Sequence, residues 1–140
     1  MEGTSKELDI FKANHGTTIM YHDESDPVFS MCNTVKYYDN LTSKYGAATA
    51  SFARLFLLPG MNHCQYGSHG LDSFDPLTRL SIGKKRRGPD FMIAGASPSN
   101  AAVPASRTYP LCPCPQFAQY AGAGNNSENT ASYICITTAK

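Results

Sequence analysis

Nowhere in this chain do about 18 or more apolar residues follow one another, so no segment reads as a membrane-spanning helix. An excess of one charge sign is also lacking: 12 basic residues face 11 acidic ones, for a formal net charge of +1. That balance gives no global pull toward nucleic acid, an anionic membrane surface or a strongly charged substrate. The stretch from Met1 to Asp9 lacks the basic head and apolar middle of a secretory signal. At 140 residues and 41% apolar, the chain has room for one modest domain with its own core but not for two. Nor does any serine stand in a Gly-x-Ser-x-Gly frame.

Cysteine is not scarce. Cys32, Cys64, Cys112, Cys114 and Cys135 are many for a reducing compartment and point to an oxidising one, where an odd count leaves one thiol without an internal partner. Asn40-Leu41-Thr42 and Asn125-Asn126-Ser127 satisfy the glycosylation triplet, a pattern too common to decide anything. Cys112 and Cys135 flank a polar, glycine-containing loop and are the natural pair to pin the end of the chain.

The periodicities predict a piece of an α/β unit up to about Leu80. Thr17 to Tyr21 reads as a short strand. Met31, Val35, Tyr38, Leu41 and Tyr45 then recur at steps of four, three, three and four, the spacing of one helical face, with Ser30 as N-cap and Gly46 as stop. Phe52 to Leu58 is an apolar run broken only by Arg54, as expected of a strand buried on both faces. Phe74 to Leu80 starts like a helix, with Asp75 as cap and Pro76 at its first position. From Ala94 to Lys140 the Gly, Ala, Ser, Pro and Asn content predicts an irregular tail.

Each of the two predicted strands runs into a loop that bears a titratable group. The first loop ends at Asp26-Pro27; the second is Pro59-Gly60-Met61-Asn62-His63-Cys64. An acid followed by a histidine, each just after a strand, is the order of the last two members of a Ser, Asp, His triad in an α/β-hydrolase sheet. The 37 positions that separate Asp26 from His63 accommodate one crossover helix and one strand. An Asp-Pro turn and a solvated loop histidine would leave the same letters. His22 is placed to shape the acid loop rather than to act as base, and His15 and His69 read as surface residues.

Four runs then carry a resemblance. They are Tyr21-His22 through Ser25-Asp26-Pro27-Val28, Asn33-Thr34-Val35-Lys36-Tyr37-Tyr38, Arg54 through Cys64, and Phe74-Asp75-Pro76-Leu77-Thr78. Together with the later Arg107-Thr108-Tyr109-Pro110-Leu111-Cys112-Pro113 and Cys114-Pro115-Gln116, they resemble the C-terminal part of the tannase and feruloyl esterase family. The resemblance implies a secreted α/β-hydrolase that cleaves phenolic acid esters through a Ser, His and Asp triad. It implies Asp26 as the acid and His63 as the base. It further implies that Cys64 bonds a cysteine next to the nucleophilic serine, and neither of those partners occurs in this sequence. The expected architecture is the C-terminal part of the hydrolase sheet, two or three strands with a crossover helix. Residues 8–80 would carry the acid and base loops; residues 81–140 would be a basic loop and a disulfide-pinned tail of the same domain.

Other chemistry fits less well. Ser97 is followed by Pro98, which removes the N–H an oxyanion hole needs, and Ser68 follows His63 in the wrong chain order. The family's calcium-binding lid has no counterpart, so no metal or other cofactor is expected. The tetrad Lys84-Lys85-Arg86-Arg87 reads as a solvated face before a nuclear or anion-binding signal. Cys64, His69, Cys112 and Cys114 hold zinc-ligand atoms at spacings unlike a finger or ribbon. Asp23 and Glu24, which replace a glycine and an aromatic residue of the family, are two like charges expected to disfavour ionisation of Asp26. The expected partners are the phenolic ester and the preceding part of the same protein, with no nucleic acid and no membrane. A catalytically inactive remnant with an interaction or structural role is the alternative.

Overall fold

The structure is a computed structural model that describes residues 8–63, 71–73, 92–96, 106–122 and 126–137. Cys64, Ser68, His69, the helix start at Phe74 to Leu80, the basic tetrad and Ser97 lie outside the described residues.

A short helix α1 (Asp9–Ala13) leads into strand β1 (Thr18–Asp23), helix α2 (Met31–Tyr45), a 3₁₀ segment (Gly46–Ser51) and strand β2 (Ala53–Leu58). β1 and β2 pair in parallel from Thr18↔Ala53 to Asp23↔Leu58, with α2 as the crossover. Leu55 and Phe56 are consecutive in β2 and both are fully buried, so this strand is covered on both faces. One face carries Leu55 with Ala53, Phe52 and Tyr38 of α2; the other carries Phe56 and Leu58 with Met61 and Leu111. Burying either large side chain of β2 contributes about 1.5–3 kcal/mol.

β1 runs two residues past the expected end at Tyr21, so His22 and Asp23 belong to the strand and not to the loop. The length of the partner sets this extent, because His22 and Asp23 lie opposite Leu57 and Leu58. Beyond the last pair, Glu24 N–H still donates to the Leu58 carbonyl at 2.9 Å. In α2, Tyr38 and Leu41 are the buried positions of the apolar face. Tyr38 Oη donates to the Ala53 carbonyl at 3.3 Å and fixes the helix to β2. Ser30 occupies the N-cap position, although its side chain makes no capping hydrogen bond. Gly46 ends the helix at a φ of 58°, a conformation glycine adopts without steric cost.

The tail is more regular in its described parts than its composition predicts. β3 (Leu71–Ser73), β4 (Met92–Ala96) and β5 (Thr108–Leu111) form one antiparallel sheet, and β6 (Phe117–Tyr120) pairs with β7 (Tyr133–Ile136) in another. Strands of three to five residues are too short to impose a visible alternation on a sequence rich in Gly, Pro and Ser. Cys112 and Cys135 form a disulfide with a Cα separation of 5.6 Å, which ties β7 to the end of β5. Cys112 is therefore removed from the zinc set. Cys114 N–H donates to the Leu55 carbonyl at 2.8 Å, so the disulfide-bearing segment lies along the second edge of β2.

Among the described residues, no helix is long and apolar enough to cross a membrane. Cys32 is an exposed free thiol and Cys114 a half-buried one. His15 lies exposed at the end of α1, with a φ of 57°.

Candidate active site

Parallel pairing of β1 and β2 brings the loops after both strands to the same end of the sheet. The loop after β2 begins with Pro59 and with Gly60 at a φ of 71°, a left-handed turn that a Cβ would strain. Met61 then folds back into the core at 8% exposure. Its carbonyl accepts from Ser25 N–H of the other loop at 3.1 Å. His63 is thus two residues from an anchored side chain.

Asp26 sits opposite it. Pro27 follows directly, and the Asp26 carboxylate folds over the next turn: Oδ1 accepts from Val28 N–H at 2.7 Å and from Phe29 N–H at 3.0 Å. Its other oxygen, Oδ2, accepts from His63 Nδ1 at 2.8 Å. The Asp26 side chain retains 6% exposure and that of His63 37%. Burial opposes ionisation of Asp26. The N–H of Phe29, the His63 ring and the N–H of Val28 outweigh it and hold the carboxyl down at about 2. The expected penalty from Asp23 and Glu24 is not what governs this group; the direct hydrogen bonds do. The Glu24 carboxyl is itself raised by burial.

His22 reaches the same loop from β1. Its Nδ1 lies 2.7 Å from Thr34 Oγ1 in the first turn of α2, and its Nε2 lies 3.3 Å from the Phe29 carbonyl. Nε2 is also 3.7 Å from Asp26 Oδ2. The Phe29 ring tilts against the His63 ring at a centroid distance of 5.3 Å. Phe29 and Thr34 were not singled out by the sequence. Phe29 was legible as the third residue after Asp26 in an Asp-Pro turn; Thr34 is recognisable only once α2 is docked on β1.

Chemically, a carboxylate on Nδ1 fixes the tautomer of an imidazole, so that Nε2 is the basic nitrogen, and stabilises the ring once Nε2 has taken a proton. Among the described residues, no group of three His, Cys, Asp or Glu side chains is arranged to hold a metal ion.

Two parallel strands joined by a helix, with a carboxylate loop and a histidine loop in contact at one end, form an α/β-hydrolase-like arrangement. The sequence profile of the tannase and feruloyl esterase family matches residues 1–136, and the chain belongs to that family. It is 44% identical over 134 residues to a mono(2-hydroxyethyl) terephthalate hydrolase from Piscinibacter sakaiensis, which covers 94% of this chain and 22% of the relative. It is 24% identical over 146 residues to feruloyl esterase B of Aspergillus niger, covering 92% of this chain and 27% of the relative. Among solved structures, feruloyl esterase B from Aspergillus oryzae superposes with a TM-score of 0.80 at 19% identity, over 94% of this chain and 29% of that one. The chain thus spans less than a third of the length of these relatives.

Proposed function

We propose that this chain carries the acid and the base of a carboxylic ester hydrolase acting on esters of phenolic acids. The observation behind the reading is the 2.8 Å contact of His63 Nδ1 with the Asp26 carboxylate. Family membership supports the ester as the substrate class. A serine hydroxyl attacks the ester carbonyl while His63 Nε2 takes its proton; His63 then gives that proton to the departing alcohol, and the acyl group stays on the serine. Water, activated in turn by Nε2, releases the phenolic acid and restores the serine. Asp26 stays ionised throughout and offsets the charge of the imidazolium.

In this scheme the serine comes from polypeptide outside these 140 residues, and Cys64 bonds a cysteine beside it. Residues 8–80 supply both loops, and residues 81–140 complete the same domain. No cofactor takes part. The bond between Cys112 and Cys135 supports an oxidising, extracellular setting.

The test is a chimera in which this chain replaces the matching 22% of the Piscinibacter sakaiensis hydrolase. The purified 140-residue chain alone is expected to leave methyl ferulate and methyl gallate intact. The chimera is expected to hydrolyse its ester substrate and to lose that activity with His63→Ala. A folded chimera that stays inactive, or one indifferent to His63→Ala, overturns the reading.

A further inference from the structure

We infer that His22 is a positioning residue: by gripping the Phe29 carbonyl it aims the acid loop, and through it Asp26, at His63. This rests on the acid–base pair proposed above and adds a member to it.

The geometry is a continuous path of hydrogen bonds. Thr34 Oγ1, held by the first turn of α2, meets His22 Nδ1 at 2.7 Å. With Thr34 donating, Nδ1 is the acceptor and Nε2 carries the proton, which it donates to the Phe29 carbonyl at 3.3 Å. Phe29 uses its other backbone group, the N–H, to hold Asp26 Oδ1 at 3.0 Å. Asp26 presents Oδ2 to His63 at 2.8 Å. One residue, Phe29, is thereby clamped from both sides: His22 fixes its carbonyl, Asp26 its amide.

Besides this clamp, the turn from Pro27 to Ser30 is tied to α2 at its far end, where the Ser30 carbonyl accepts from Asn33 N–H at 3.1 Å. The Val28 and Phe29 side chains are each 61% exposed and give it little apolar anchorage. His22 is well suited to the grip because it lies in β1, where six paired residues fix its backbone. Its ring spans strand, helix and loop at once, and both ring nitrogens are engaged. A neutral amide of similar reach reproduces the pattern: the glutamine side chain donates through its nitrogen and accepts through its oxygen. Alanine does neither.

The experiment is proton and ¹⁵N NMR on the 140-residue chain and on its His22→Ala, His22→Gln and Thr34→Val variants. Two quantities are read: the Nδ1–H resonance of His63, and amide exchange at Val28 and Phe29, with the amides of β2 as the control for global folding. His22→Ala is expected to broaden or abolish the His63 resonance and to speed exchange at Val28 and Phe29 about tenfold, the loss of one hydrogen bond's worth of order. His22→Gln is expected to restore both readouts, and Thr34→Val to fall between. A His22→Ala chain with the wild-type resonance and exchange, or a His22→Gln chain that fails to restore them, overturns the inference. Should His22→Ala lose the β2 protection, Thr34→Val with wild-type values overturns it instead. A wild-type chain with no protected Nδ1–H on His63 refutes the acid–base pair itself, and the positioning role falls with it.

Discussion

Ser25 donates its backbone N–H to the carbonyl of Met61 at 3.1 Å, and this bond joins the two loops whose next members are Asp26 and Asn62-His63. The contact of Asp26 with His63 is therefore supported by backbone as well as by side chains. Met61 contributes from the other direction, since its side chain packs with Phe56, Leu58 and Leu111 under the base loop.

Met61→Ala should accordingly lower stability by about 2–4 kcal/mol, the cost of emptying a buried aliphatic site. Met61→Leu, close in volume, should cost less than about 1.5 kcal/mol. Urea unfolding midpoints at constant m-value distinguish the two. Equal midpoints for the alanine variant and wild type would mean that the base loop is not anchored through this side chain.

Asp26 links the site to pH. Its folded carboxyl sits at about 2 against an ordinary 3.8. A depressed acid contributes stability that is fully present above the ordinary value and lost as pH falls through the folded one. Asp26→Asn should therefore lower the thermal midpoint at neutral pH, and the gap to wild type should close between about pH 4 and pH 2. A gap that stays constant over that range would assign the effect of the substitution to shape rather than charge.

Local signals made the strand, helix, strand order readable. The steps between Val35, Tyr38 and Leu41 report a helix face, and the run from Phe52 to Leu58 reports a strand covered twice. Asp26 and His63 were legible because each follows such an element. What escaped was whatever depends on a partner distant in sequence. The extension of β1 to Asp23 is imposed by Leu58, the grip of Thr34 on His22 by the docking of α2, and the bond of Cys114 to Leu55 by the return of the tail. The charge expectation at Asp23 and Glu24 failed for a related reason: adjacency in sequence counts for less than the N–H groups of Val28 and Phe29 aimed at the carboxylate.

The disulfide between Cys112 and Cys135 closes a loop with a sequence separation of 23 residues. Chain-entropy arguments assign a loop of that size about 3 kcal/mol of stabilisation. Reduction, or the Cys112→Ser, Cys135→Ser pair of substitutions, should lower the unfolding free energy by about that amount. The loss should be greatest where β6 and β7 pair, since the bond is anchored in β7 itself. Hydrogen exchange resolves the distribution: protection in β6 and β7 should fall first, with β1 and β2 following only at global unfolding. Uniform loss across all strands would instead mean that the tail and the parallel sheet unfold as one cooperative unit.

Gly60 offers the sharpest separation of site geometry from stability. Its φ of 71° is open to glycine and costs an alanine about 1 kcal/mol. The strain acts next to Met61, so relief that shifts Met61 out of its core site carries the residues that follow it. Those are Asn62 and His63. Gly60→Ala should thus cost about 1 kcal/mol in stability while lowering turnover in the chimera by more than about tenfold, because in the proposed mechanism a displaced His63 no longer meets the serine. An alanine variant that loses stability but keeps its turnover would show that the base loop absorbs the strain before His63.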